Sequence, residues 1–162
     1  MPQMMSVEEL EAAVGHEFGP SDWLQVDQER INQFAEATID HQFIHVDPKA
    51  AAATPFGTTI AHGFLTLSLV TFLTAGLTPL PKGLTTVINY GLNKVRFVQP
   101  VKVDSQIRAG IKILEVRPRG RNHILMTSEV TIEIKGEKRP ALIAEALILF
   151  VMARDHGKPE AN

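Results

Sequence analysis

The chain has no cysteine in its 162 residues. That excludes a disulfide framework, a thiol nucleophile and a thiolate metal site, and it fits a reducing, cytoplasmic setting. A surplus of charge is also missing: at a formal net charge of -2 there is no general attraction for nucleic acid or anionic membranes. Any anionic ligand must therefore be met by a local basic cluster. The longest apolar run, Leu142–Met152, contains Glu145 and is far too short to cross a bilayer. Residues 1–7 have neither a basic start nor an apolar run, so they do not read as a signal peptide. Internal repeats and low-complexity blocks are absent too. What is present, 44% apolar and 21% charged residues, is the composition of a soluble globular protein. The length suits one domain, placed at 1–153, with a flexible C-terminal tail at 154–162.

Local signals come first at the N-terminal end. Ser6 and Glu9 have capping-box spacing and open a short helix that Gly15 closes. A short strand is expected at 22–26. Asp27 then caps a helix with Ile31, Phe34, Ala35 and Thr38 on one face, fraying near Thr38. Residues 40–47 follow neither period and read as a loop, and Asp47-Pro48 starts another short helix. Between 62 and 75, Phe64, Leu65, Leu67, Leu69, Val70, Phe72 and Leu73 point all around a helix, which predicts burial on every side, with Gly76 as its stop.

Everything after Pro81 is strand-like. Residues 85–97 alternate and then change face, which calls for a bulge near Gly91 or Asn93. Segments 106–116 and 123–135 carry apolar residues at period two, with Ser128 interrupting the second. Residues 141–152 are apolar on both faces, as in a central strand. Short helices, one long helix and then consecutive strands predict an α+β domain whose antiparallel sheet curls around the central helix.

Ionisable side chains concentrate between 34 and 63, where Asp40, His41, His45, Asp47 and His62 include three of the six histidines. A loop held between helices is a good place to present polar groups to a ligand. Asp40 and His45 are near enough in sequence for one turn to aim both at a single water. Imidazole exchanges protons near neutral pH, and a carboxylate beside it can hold the water and carry the other proton, so the pair suits hydration chemistry. Plainer readings stand beside this one: the pair also reads as a local hydrogen bond, Asp47 as a helix cap, and His62 as satisfying backbone groups at a helix start. A metal site made from Asp40, His41 and His45 lacks any accompanying ligand signature.

These residues carry a resemblance. Phe34-Ala35, Asp40, His45, Asp47, the alanines at 51–53, Phe56-Gly57 and Ala61-His62-Gly63 fall in the order and spacing of the MaoC-like dehydratases, also called (R)-specific enoyl-CoA hydratases or the hydratase 2 group. With the segment 89–97 downstream, the chain looks closest to the branch related to nodulation protein N and the mycobacterial 3-hydroxyacyl-thioester dehydratases. Gln42-Phe43 replaces the motif's usual Asn-Pro, which changes the loop's rigidity and one polar contact.

The resemblance implies a single hotdog domain that hydrates a trans-2-enoyl thioester reversibly to the (R)-3-hydroxyacyl thioester. It makes Asp40 and His45 the acid/base pair and Gly63 the backbone N–H donor to the thioester oxygen. Substrate contacts fall to His62, Asn89, Tyr90, Lys94 and Arg96, and Ser68 or Thr71 would orient the pair. Arg117, Arg119 and Arg121 are further candidates for coenzyme A phosphates, although such a turn also reads as a solvated surface. No metal, nicotinamide or flavin is implied. Coenzyme A or an acyl carrier protein enters with the substrate, the acyl chain enters an apolar tunnel beside the helix, and the chain pairs as a homodimer. Two alternatives share the fold: an acyl-CoA thioesterase, and a non-catalytic acyl-thioester binding protein.

Overall fold

Residues 2–153 are described in a computed structural model, so the expected tail at 154–162 lies outside the described residues. In chain order the elements are β1 (Met4–Met5), α1 (Val7–Ala12), β2 (Glu17–Phe18), β3 (Leu24–Val26), α2 (Gln28–Thr38), α3 (Phe43–Val46), α4 (Pro48–Ala52), α5 (Gly63–Ser68), α6 (Val70–Thr74) and β4 (Leu80–Pro81). Four long strands follow: β5 (Leu84–Phe97), β6 (Ser105–Pro118), β7 (His123–Ile134) and β8 (Leu142–Met152).

Helix starts obey their local signals. Ser6 and Glu9 exchange side-chain and backbone hydrogen bonds as a capping box. Asp27 accepts from the Arg30 N–H, and Asp47 accepts from the Ala50 N–H ahead of Pro48. The first helix ends at Ala12, before Gly15.

The main sheet runs β2-β6-β7-β8-β5, all antiparallel, with β3 also on β6. The strand that is apolar on both faces, β8, is indeed interior, between β7 and β5. On β5 the register slips between Asn89 and Gly91 and again between Leu92 and Lys94, around the expected bulge. The second slip matters most. Leu92 pairs with Ala146 and Lys94 with Glu145, so the strand turns one face over within three residues.

The long helix differs from its expectation in two ways. It is interrupted at Leu69, and it is not buried all round, since Phe64 is 68% and Phe72 66% exposed. Just before the interruption, Ser68 Oγ donates back to the Phe64 carbonyl at 2.8 Å, the kind of bond that can bend a helix. Backbone bonds still bridge the break, from Leu69 to Leu65 and from Leu73 to Leu69. The buried stripe is Leu65, Leu69 and Leu73, packed with Ile111, Val130, Ile132, Leu142 and Ala144 of the sheet. Each such leucine contributes about 1.5–3 kcal/mol of transfer free energy, which fixes the helix across the sheet. The helix ends at Thr74 without a left-handed Gly76. Backbone bonds from Leu77 and Thr78 to the Thr74 carbonyl close the turn instead.

Candidate active site

Asp40 is delivered by the end of α2. Ile39 adopts a left-handed conformation, φ 61° and ψ 26°, and both its N–H and that of Asp40 bond to the Ala35 carbonyl. A β-branched residue in that region costs roughly 1–2 kcal/mol. The strain turns the chain sharply, so that Asp40 leaves the helix axis and stays at the surface.

The segment after Asp40 is not wholly a loop, which corrects the sequence reading. Residues 43–46 form one helical turn, α3, too short to display a hydrophobic period. That turn buries His45, only 7% exposed, and its Nδ1 lies 2.7 Å from the Ile60 carbonyl oxygen. A carbonyl only accepts, so Nδ1 carries the proton and Nε2 keeps its lone pair.

His62 lies against His45, its ring stacked at a centroid distance of 3.8 Å and an interplanar angle of 24°. Phe34 packs on His62 at 5.1 Å. His62 makes no capping bond at its helix. Its Nε2 instead lies 3.0 Å from the Asp40 backbone carbonyl and 4.0 Å from the Asp40 carboxylate. His62 is only 3% exposed and is enclosed by protein groups. Its Nδ1 is buried with no partner.

Asp40, His45 and His62 each present a ligand atom within 4.8 Å of the others. A metal would need lone pairs converging at about 2.0–2.1 Å. His45 Nδ1 is committed to the Ile60 carbonyl and His62 Nε2 faces the Asp40 carbonyl, so neither of those two nitrogens has a lone pair free for an ion.

Burial is the main cause holding the His45 imidazole below its ordinary value of 6.5. The neighbouring His62 lowers it further, while the bond to Ile60 and the charge of Asp40 oppose the shift. The ring is therefore neutral near pH 7. Because the unfolded chain binds this proton more readily, the associated stability is complete above about pH 6.5 and is lost as pH falls through the lower folded-state value. Urea midpoints measured through that acidic window should decline in the wild type. Much of the decline should vanish in His45→Gln.

An apolar cavity of about 460 Å³ runs between the helix and β5, β7 and β8, bounded by Leu67, Val70, Leu92, Val130, Ala146 and Ile148 among others. Ser68, Thr71 and Asn89 also line it. None of Asp40, His45, His62 or Gly63 lines it: it starts at Leu67, four residues or about 6 Å along the helix from Gly63. The Gly63 site lies against the Phe97 ring, where an added Cβ would come within 3.1 Å and the ring would have to give by a few tenths of an ångström.

Several other expected site residues lie away from the Asp40/His45 pair. The Ser68 hydroxyl is bonded to Phe64 and Thr71 accepts from Asn89 at 3.3 Å, so neither hydroxyl reaches the Asp40/His45 pair. Lys94 pairs with Glu145 at 2.6 Å on the sheet face opposite the cavity, because the bulge turned it there. Arg96 lies two residues further along that face and donates to the Val95 carbonyl. Tyr90, thrown out by the other bulge, stacks under the Arg119 guanidinium at 4.3 Å. Arg117 lies 3.8 Å from Glu115. Of the downstream candidates, Asn89 alone faces the cavity.

Sequence reasoning missed Gln28. Its amide donates to the His45 carbonyl at 2.7 Å and accepts from Thr59, which is fully buried beside Ile60. One side chain thus ties α2, α3 and the strap at 59–60 together. Nothing local marks it, since Gln28 looks like an ordinary first-turn residue after its cap.

Comparison with known proteins adds independent evidence. Residues 9–134 match the MaoC like domain. The chain is 49% identical over 146 residues to 3-hydroxyacyl-thioester dehydratase Z of Mycobacterium tuberculosis, covering 90% of this chain and 96% of that one. It is 48% identical to nodulation protein N of Rhizobium leguminosarum bv. viciae, covering 90% and 91%. Among solved structures, an (R)-hydratase from Pseudomonas aeruginosa superposes with a TM-score of 0.70 at 24% identity, over 99% of this chain and 97% of that one. That last likeness speaks for the hotdog architecture alone. With a matching domain, two near-full-length relatives and the helix-on-sheet fold all in agreement, the chain belongs to the MaoC-like dehydratase family.

Proposed function

We propose that this protein is a hydro-lyase that adds water reversibly to a trans-2-enoyl thioester, giving the (R)-3-hydroxyacyl thioester. The observation that carries the reading is the meeting of the Asp40 carboxylate with a buried, neutral His45 whose Nε2 lone pair is unprotonated. One water between them is polarised from both sides. Hydroxide adds to C3 as one group of the pair takes the water's other proton, and that proton is then delivered to C2, so both groups return to their starting states. Negative charge that develops on the thioester oxygen is met by the Gly63 N–H, at a helix start that has no side-chain cap. His62 acts through Asp40, as a positioning residue. The step needs no metal, nicotinamide or flavin. Coenzyme A or an acyl carrier protein enters as part of the substrate, and we place the reaction in the cytoplasm.

The cavity beside the helix is the natural channel for the acyl chain, being apolar and of a size usual for small-molecule sites. The assay that tests the reading follows crotonyl-CoA by loss of enoyl absorbance and by free thiol, with chiral analysis of the product. Loss of absorbance without thiol release, with the (R) product, is expected. Thiol release would make the protein a thioesterase, and no change in either signal would leave it a binding protein.

A homodimer is part of the same proposal. Strand β5 is an edge strand, and Val87, Ile88, Tyr90, Leu92 and Phe97 on it are all 43–47% exposed. Phe64 lies edge-on to Phe97 at 5.8 Å and extends the apolar surface onto the helix. A long apolar edge invites pairing with another strand, and a second copy covers it symmetrically. Light scattering should give twice the 17.8 kDa chain mass. Ile88→Lys combined with Phe72→Glu should shift the protein to monomer, and an unchanged mass would place the interface elsewhere.

A further inference from the structure

The cavity contains one polar group that its own fold does not use. Ser68, Thr71, Thr74, Thr78 and Ser128 all line it with hydroxyl side chains. Ser68 donates to the Phe64 carbonyl, Thr74 to Val70 and Thr78 to Thr74, while Thr71 accepts from Asn89. Ser128 is 2% exposed, and its Oγ has no hydrogen-bond partner. It breaks the inward apolar row of β7 between Met126 and Val130, facing the cavity with Val130 and with Ala146 from the neighbouring strand. A buried hydroxyl without a partner is costly, and such groups are rare unless something else supplies the bond. Three buried side-chain polar atoms among the described residues lack partners, on Arg30, His62 and Ser128, and of these residues only Ser128 lines the cavity.

We propose that the Ser128 hydroxyl recognises an oxygen carried far along the acyl chain, so that the preferred thioesters bear a distal hydroxyl or oxo group rather than plain hydrocarbon. This rests on the cavity being the acyl channel. A serine hydroxyl both donates and accepts, so it satisfies either oxygen type. Position along the sheet gives the reach. Gly63 abuts Phe97, Phe97 pairs with Leu142, and Leu142 pairs with Ile132, which stands four residues from Ser128. Four strand residues span about 13 Å, and the two steps across from β5 to β7 add about 4.8 Å each at right angles, for a direct distance of about 16 Å. A fully extended chain advances roughly 1.1–1.2 Å per bond, which sets the oxygen about thirteen to fifteen bonds beyond the thioester carbonyl.

The test is calorimetric binding of tetradecanoyl-CoA and its terminally hydroxylated counterpart, both saturated and therefore inert to hydration. Wild-type protein should bind the hydroxylated thioester at least as tightly as the plain one. Ser128→Ala should weaken the hydroxylated thioester about tenfold relative to the plain one, and Ser128→Thr should restore part of that preference. The alanine variant should also melt no lower than wild type, because the hydroxyl it removes has no bond within the protein. An unchanged ratio of affinities in Ser128→Ala, or a lowered melting temperature, overturns the proposal. If wild type binds neither thioester, the channel reading itself fails and this inference with it, an outcome distinct from binding without preference.

Discussion

Replacing Asp40 by Asn, or His45 by Gln, is expected to lower turnover of a 2-enoyl thioester by about 10²–10⁴-fold, the usual scale for lost acid/base catalysis. Affinity for a saturated thioester should change little, because neither side chain lines the apolar cavity. The two losses should not add. Both groups act on one water, so the double variant should be nearly as active as the worse single one. Folding is the necessary control. His45 is buried and anchors to Ile60, so glutamine there removes a structural bond as well as a proton carrier. Asp40 is 55% exposed at its side chain, which makes Asp40→Asn the cleaner variant. Circular dichroism and a melting curve indistinguishable from wild type, together with the loss of turnover, would assign the effect to chemistry. Full activity in Asp40→Asn would remove the carboxylate from the mechanism.

Ala146→Phe is expected to change which acyl chains are accepted. Ala146 faces the cavity from β8, between Leu92 on β5 and Ser128 on β7 in the strand register. A phenyl ring there occupies space that the far end of a long chain would fill. Each methylene kept out of the apolar environment forfeits about 0.8 kcal/mol, so exclusion of four costs about 3 kcal/mol. That corresponds to a fall in kcat/KM on the order of 10²-fold for a dodecenoyl thioester. Crotonyl-CoA, whose chain ends well short of this position, should be turned over nearly as before. Equal losses for short and long chains would mean that the cavity does not receive the chain, or that overpacking has disturbed the helix seated on the sheet.

Local chemistry explains why much of this molecule was legible in its sequence. The capping box at Ser6, the caps at Asp27 and Asp47, and the β5 bulges each depend on neighbours a few residues away. Period two in 106–116 and 123–135 likewise reports a half-buried strand without reference to its partner. The Asp40/His45 pairing was readable because both lie in one short segment between two recognisable helices. Features set by tertiary neighbours were not. His62 meets Asp40 across 22 residues, and Gln28 reaches Thr59 across 31. The bulge was anticipated, but its consequence was not: one extra residue rotates Lys94 and Arg96 away from the cavity and hands Lys94 to Glu145. The all-round apolar helix misled for a different reason. Phe64 and Phe72 make the residue pattern look buried, whereas within one chain they are an outward surface. Ser128 was visible as an interruption in an apolar row, yet only the cavity gives that interruption a meaning.

A crystal structure of the protein with a bound (R)-3-hydroxyacyl thioester would settle where the water goes. Its 3-hydroxyl oxygen, the atom that water becomes, should lie about 2.6–3.2 Å from both an Asp40 carboxylate oxygen and His45 Nε2, with the acyl tail running past Leu67 into the cavity. A hydroxyl bound out of reach of either group, or a tail lying outside the cavity, would show that these residues do not share the catalytic water.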